Sequence, residues 1–278
     1  MRNTILAIDV GNTTTQFGLF VSGKLALRMR TVTLNRTGDE LFLMFRGYCH
    51  SRGARLEPGG DCVMCSVVPP LTAGFVEMAA QLFGKEPLVV DSSVDTGLKI
   101  QYKDPGAVGA DRIATAVGAM EKFGKPLVVV DAGTATTFDV IDRRGRYLGG
   151  AIAPGVSTAA EELFRRGAKL SRVELKRPDS VIGKSTEESL QSGIVFGAAA
   201  QVDGILTRIF EELGYRPLVV ATGGYAPLIA PLSSQISRVE DTLVLDGLLA
   251  IYRRNRRAGR EVGRPAKRGT GRRVKRGT

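Results

Sequence analysis

The alternation of apolar and polar positions divides the chain into short β segments followed by a regular exchange of helices and strands. An apolar run, Ile5 to Ile8, leads into Asp9, and alternating residues continue to Phe20. Residues 4–31 therefore predict three antiparallel strands, turning at 11–13 and at Ser22-Gly23-Lys24. Helical spacing follows over 39–51, with Asp39 and Glu40 favourably placed against the helix dipole. A strand near 62–67 is stopped by Pro69-Pro70, and a helix (71–84) and a buried strand (87–91) come next. From Ile113 to Phe123 the pattern is helical again. Strands are then expected at 126–131, up to Asp142, and from Arg146 to Ala153. A helix at 157–167, a long helix at about 187–213, a buried strand at 217–221 and a helix at 241–254 complete the series. This order fits mixed sheets flanked by helices.

Two stretches of this pattern repeat. Ile8-Asp9-Val10-Gly11-Asn12-Thr13-Thr14-Thr15 is a strand ending in a carboxylate, then a turn of glycine and small polar residues. Residues 128–137 read Val-Val-Val-Asp-Ala-Gly-Thr-Ala-Thr-Thr. Shifting the first copy by 122 positions without a gap places Asp9 on Asp131, Gly11 on Gly133, Thr14 on Thr136 and Thr15 on Thr137, and Gly23 falls on Gly145. The pattern predicts a duplicated β-hairpin unit and hence two related α/β lobes facing one cleft. Glycine lets a phosphate approach where a Cβ would collide, and the turn amides form an anion nest. Asp9 stands where a magnesium–phosphate cluster wants a carboxylate or a carboxylate-held water.

Composition narrows the class. With 278 residues, 43% hydrophobic and 24% charged, the chain is that of a globular protein with room for two domains. The net charge of +11 has one source: Arg253 to Thr278 holds 12 basic residues and one acid, Glu261, so the rest of the chain is neutral. That Gly- and Arg-rich tail is expected to be disordered beyond its first residues, with only weak, salt-sensitive nucleic-acid binding. The apolar run before Asp9 is too short for a secretory signal, no membrane-spanning stretch is expected, and the three cysteines suit a reducing cytoplasm. Cys62 and Cys65 form a C-x-x-C, yet the segment continues as a buried strand, so a zinc site with Cys49 and His50 is set aside. Gly183-Lys184-Ser185 imitates a P-loop, but Pro178 occupies the position that needs glycine.

Further candidate chemistry lies between the lobes. Gly109-Ala110-Asp111-Arg112 falls at the start of the helix that follows it, where amide donors hold a carboxylate. There Asp111 can face a hydroxyl while Arg112 grips an anionic group. Gly149 to Gly155 and Thr222-Gly223-Gly224 are glycine-rich returns suited to close ligand approach, the second to a nucleotide.

In order, Asp9 to Thr13, Ser66 to Pro69, Pro105 to Arg112, Asp131 to Ala135, Gly149 to Gly155, Gln191 to Gly193 and Thr222 to Gly224 make the chain resemble the type III pantothenate kinases over roughly residues 4–256. The resemblance implies an α/β fold of two duplicated ribonuclease H-like (actin-like ATPase) lobes, each a mixed sheet flanked by helices. The lobes would be 1–115 and 116–256, with 257–278 as the basic tail. It implies ATP-dependent phosphorylation of pantothenate, the first step of coenzyme A synthesis, by a cytoplasmic homodimer. Asp9, Val10, Gly11, Asn12, Thr13, Thr14, Thr15 and Gln16 would cradle ATP, with Thr134 touching the nucleotide. Magnesium would sit at Asp9, through water, and a monovalent cation (potassium or ammonium) at Asp131. Tyr102, Gly109, Ala110, Asp111, Arg112 and Thr186 would bind pantothenate, with Asp111 as general base. Cys65 stands where the family pattern has a small residue such as serine, and Gly167-Ala-Lys-Leu-Ser171 departs from it too. Two alternatives remain: a regulatory or accessory protein of the same fold, and another phosphotransferase of the superfamily, such as a phosphatase or a sugar kinase.

Overall fold

A computed structural model describes residues 4–56, 59–167 and 171–257. The chain begins with β1 (Thr4–Val10), β2 (Thr14–Val21) and β3 (Lys24–Val32), then α1 (Gly38–Ser51), β4 (Asp61–Ser66), α2 (Pro69–Phe83) and β5 (Leu88–Val89). It continues with β6 (Lys99–Ile100), α3 (Ala110–Phe123), β7 (Leu127–Ala132), β8 (Ala135–Ile141), β9 (Arg146–Pro154) and α4 (Val156–Arg166). Last come α5 (Thr186–Leu213), β10 (Leu218–Thr222), α6 (Ala226–Ile229), β11 (Arg238–Val239) and α7 (Leu243–Arg257). Two sheets result, ordered β3-β2-β1-β4-β5 and β11-β10-β7-β8-β9-β6. In each, an antiparallel meander of three strands is extended by parallel strands on the side of its first member.

The local chemistry explains where elements start. Thr37 and Glu40 cap α1 reciprocally: Thr37 Oγ1 accepts from the Glu40 amide at 3.2 Å, and Glu40 accepts from the Thr37 amide at 2.8 Å. Pro69 and Pro70 do more than stop a strand. They occupy the first turn of α2, where a missing N–H costs nothing, so the helix begins two residues before the expected Leu71. The expected strand over 87–91 shrinks to Leu88–Val89, and the short edge strands β6 and β11 carry too few residues to show a period.

Three apolar layers hold the sheets. One face of the first sheet packs on α1 and α2, where Phe17 stacks on Phe45 with ring centroids 5.2 Å apart. The outer face of the second sheet packs on α5 and α6. Between the sheets lie α3 and α7, whose residues join Ile5, Ala7 and Val63 of one sheet to Leu127, Val129 and Val220 of the other in a single cluster. The two helices touch backbone to backbone. A Cβ on Gly118 would run into the Leu243 carbonyl, and one on Gly247 into the Ala114 carbonyl. The boundary expected between residues 115 and 116 falls inside α3, in this shared layer.

Two expectations need comment. Alternation along β4 sends Cys62 into the α1–α2 layer and Cys65 into the central layer, so the C-x-x-C pair faces opposite sides of the sheet and all three cysteines are buried and free. Against the expectation of no spanning stretch, α5 is long and apolar enough to cross a membrane by length and composition alone. Its Val195, Ala199, Val202, Leu206 and Phe210 are buried, the last four of them against the second sheet, which accounts for that composition. The expected disordered tail lies, from residue 258, outside the described residues, while the last helix runs on to Arg257.

Candidate active site

Each sheet delivers an aspartate to the end of its central strand. Asp9 sits opposite Gln16 on the hairpin side and Cys65 on the parallel side. Asp131 sits opposite Thr137 and Thr222 in the same way. Beyond them the chain turns tightly: the Gly11 amide donates to the Thr14 carbonyl at 3.2 Å, and the Gly133 amide to the Ala135 carbonyl at 3.0 Å. The first turn is braced by Thr33, just past the end of β3, whose Oγ1 donates to the Gly11 carbonyl at 2.7 Å. The tips of the two turns meet, Thr13 Oγ1 lying 2.9 Å from Thr134 Oγ1. Gly223 packs so closely on Asp131 that a Cβ would collide with the carboxylate.

Between these ends lies a cleft of about 490 Å³. It gathers Asp9, Gly11, Asn12, Thr13, Thr14, Gln16, Asp111, Arg112, Asp131 and Thr134 from the expected set. Others stand off it. Val10 is buried in the α1–α2 layer, and Thr15 is buried with its hydroxyl 2.9 Å from that of Thr33. Gly109 and Ala110 form the entry to α3. Tyr102 rests against Gly149, 40% exposed. Thr186 opens α5 on the surface and does not line the cleft.

The first turn of α3 aims the second pair of groups. Asp111 accepts from the Arg112 amide at 2.8 Å. The Arg112 guanidinium reaches the other way, its Nε and Nη2 lying 2.9 and 2.7 Å from Asp139 Oδ1. That same oxygen accepts from the Tyr147 hydroxyl at 2.6 Å, and Asp139 Oδ2 accepts from Thr137 at 3.3 Å. Burial works against the Arg112 charge, but Asp139 beside it outweighs this and raises its pKa. Asp139, Tyr147, Arg28 and Arg30 were missed from sequence. Alternation groups three of them with their neighbours, since Thr137 and Asp139 share one face of β8, as Arg28 and Arg30 share one face of β3.

The remaining carboxylates lack such partners. Burial, then the charge of Asp111 and to a smaller extent that of Asp131, push Asp9 up to about 7, with hydrogen bonds from Cys65 and Gln16 opposing. Burial, and then Asp111 and Asp139, push Asp131 up to about 7, with Arg30 opposing. Asp111 is raised by burial, despite the Arg112 amide and charge. Three desolvated acids facing one cleft are chemically suited to cations and to phosphates carrying them. Among the described residues no three His, Cys, Asp or Glu side chains converge tightly enough to hold a metal ion by themselves. A divalent ion in this cleft would have to take most of its ligands from water and phosphate, as magnesium ordinarily does.

The sequence profile of the type III pantothenate kinases matches residues 5–208. The chain belongs to that family. A type III pantothenate kinase of Moorella thermoacetica is 47% identical over 252 residues, covering 90% of this chain and 99% of that protein. The Anaeromyxobacter dehalogenans enzyme of the same name is 46% identical over 255 residues, covering 91% and 100%. Among solved structures, a Baf family protein of Campylobacter jejuni superposes with a TM-score of 0.56 at 20% identity, covering 91% of this chain and 99% of the other. The activator of the 2-hydroxyisocaproyl-CoA dehydratase of Clostridium difficile, solved with ADPNP, gives 0.52 at 13%, covering 96% and 100%. These two carry the fold alone, which is the actin-like, two-lobed α/β architecture that the sequence implies for a type III pantothenate kinase.

Proposed function

We propose that the chain transfers the γ-phosphoryl group of ATP to the primary hydroxyl of pantothenate, giving ADP and 4′-phosphopantothenate. The observation that carries this reading is the meeting of Asp9, Asp111 and Asp131 in one cleft between two glycine turns, in a chain of this family. Phosphoryl transfer asks a protein mainly for in-line positioning and charge neutralisation. The turn from Gly11 to Thr14 and Thr134 receive the phosphates, and Arg112, held by Asp139, receives the pantothenate carboxylate. Asp111 takes the hydroxyl proton as the new P–O bond forms and the bond to ADP breaks. Its burial-raised pKa brings it nearer the operating pH than an ordinary aspartate. Magnesium neutralises phosphate charge near Asp9 when bound, and Asp131 takes potassium or ammonium. Tyr102 and the Gly109–Ala110 entry border the pantothenate end. Thr186, on the exposed start of α5, is assigned to closing on pantothenate in a homodimer.

The test is ADP release with pantothenate, first in potassium and then in sodium buffer. Pantothenate-dependent turnover that falls sharply in sodium supports the substrate and the Asp131 site together. Cation-indifferent turnover removes the Asp131 assignment, and no pantothenate-dependent turnover removes the substrate. Asp111→Asn should lower kcat by about 100-fold or more while pantothenate binding, measured by calorimetry, stays within a few-fold. Equal loss of binding and turnover would make Asp111 a positioning residue.

A further inference from the structure

The ionised groups of the cleft do not balance evenly. Five carboxylates and three guanidiniums line it. Arg112 is committed to Asp139. Arg28 is committed to Asp241 and Gln16: it pairs with the Asp241 carboxylate, and its Nη2 donates to Gln16 Oε1 at 2.9 Å and the Asp241 carbonyl at 2.7 Å. Arg30 remains. Among the described residues it makes no hydrogen bond or ion pair, although it stands across from Asp9, Asp111 and Asp131.

Its placement is set by the sheet. Arg30 lies opposite Gln16 in the β2–β3 ladder, and Gln16 lies opposite Asp9 in the β1–β2 ladder, so Arg30 is two strands from the first aspartate on the cleft-facing row. From there its Nη2 reaches over to the second lobe, 3.6 Å from where a Cβ on Gly224 would be. The side chain thus spans from β3 to the Thr222–Gly224 turn, in the cleft that both glycine turns line. A guanidinium with free donors in that position matches a phosphate oxygen pair.

The geometry points to Arg30 as a phosphate-binding residue of this cleft, contacting the terminal phosphates of the nucleotide and the charge that grows on the phosphoryl group in flight. This deepens the kinase reading and rests on it. Arg30 moves no proton: the hydroxyl proton still goes to Asp111, and the bond to ADP still breaks in line.

The test compares nucleotides that differ in phosphate number. Calorimetry with AMP and with a non-hydrolysable ATP analogue plus magnesium is run on the wild type, Arg30→Ala and Arg30→Lys, beside kcat and KM. Arg30→Ala should weaken the analogue by about 10- to 150-fold, the worth of charge-assisted hydrogen bonds, and leave AMP within about twofold. Arg30→Lys should recover part of the loss, because it keeps the charge but not the fork. The pantothenate KM should stay unchanged. An analogue affinity untouched by Arg30→Ala overturns the assignment, as does an equal loss for AMP. A loss confined to pantothenate KM overturns it as well. If Arg30→Ala does not fold, the analogue-to-AMP ratio of Arg30→Lys decides alone, and an unchanged ratio overturns the assignment. Wild-type protein that binds the analogue without pantothenate-dependent turnover would sink the substrate and leave the Arg30 comparison readable.

Discussion

The two hairpins that end in Asp9 and Asp131 descend to the same cleft, but they are not superposable residue for residue. In the first, Val10 pairs with Thr15; in the second, Ala132 pairs with Thr136. The second turn is one residue shorter. The ungapped match that set Thr14 and Thr15 on Thr136 and Thr137 is therefore corrected: Thr15 corresponds to Thr136, and Gln16 to Thr137. The offset changes the neighbours of each carboxylate. On the third strand the residue facing Gln16 is Arg30, whereas the residue facing Thr137 is Ile152, 64% exposed. On the parallel side Asp9 has Cys65 and Asp131 has Thr222. One lobe carries Arg28 and Arg30 two strands from its aspartate, and the Arg30 charge acts on Asp131 of the other lobe. The other supplies Asp139, which fixes Arg112, and a hydroxyl-lined niche suited to a cation.

That division is breakable by paired substitutions at the two aspartates. Asp9→Asn should lower turnover by about 100-fold or more in either monovalent cation, since it removes the carboxylate beside the phosphates and magnesium. Asp131→Asn should instead mimic sodium: a reduced rate that no longer distinguishes potassium from sodium. Steady-state rates in both buffers check this. Cation sensitivity lost on Asp9→Asn and kept on Asp131→Asn would exchange the roles of the two lobes.

A smaller effect is expected one step back from the chemistry, at Asp139. It does not take part in the transfer; it holds Arg112 through one oxygen that also accepts from Tyr147. Asp139→Asn should raise the pantothenate KM by about 10- to 100-fold, with kcat and the ATP KM nearly unchanged. It should also cost about 3 kcal/mol of stability, because Arg112 is left with a half-paired charge among buried groups. Tyr147→Phe should follow in the same direction with a smaller KM change. A KM increase shared equally by ATP and pantothenate would show general loosening of the cleft rather than the loss of an anchored arginine.

How much of this was legible follows from the reach of each signal. Strand–turn aspartates announce themselves locally, and so do helix starts such as Gly109 to Arg112, because the residues involved are consecutive. The one-residue offset was hidden by the threonine run itself: with Thr13, Thr14 and Thr15 in series, a slip by one still sets a threonine on Thr136. Alternation sets Arg30 with Arg28 and Asp139 with Thr137 on one strand face each, but only the pairing register tells which side of the sheet, and which lobe, that face meets. The shared helical layer was out of reach as well. Gly118 and Gly247 are far apart in sequence, and nothing near either residue signals that the two helices meet there.

The effect furthest from turnover is thermal and separates the empty cleft from the loaded one. Asp9 and Asp131 are both raised to about 7, above the roughly 3.9 of an aspartate in the unfolded chain. Between those values the folded state holds protons that the unfolded state releases. Stability from these groups is therefore complete below about pH 4 and is lost as pH rises through 7. Asp111 and Asp139 are raised by burial too and act in the same sense, while lowered carboxylates such as Asp203 and Glu240 oppose it only at the acidic end, which leaves pH 5 to 8 as the informative window. In sodium buffer without magnesium, Tm should fall by about 10 °C or more across that window, since the two groups together lose roughly 5 kcal/mol between pH 5 and 8. On the proposed reading potassium and magnesium bind the ionised carboxylates, and together they should restore more of the loss at pH 8 than at pH 5. Differential scanning calorimetry of the wild type, Asp9→Asn and Asp131→Asn in each buffer divides the slope between the lobes. Potassium rescue should vanish in Asp131→Asn and persist in Asp9→Asn; rescue lost equally from both would mean a single cation site shared across the cleft.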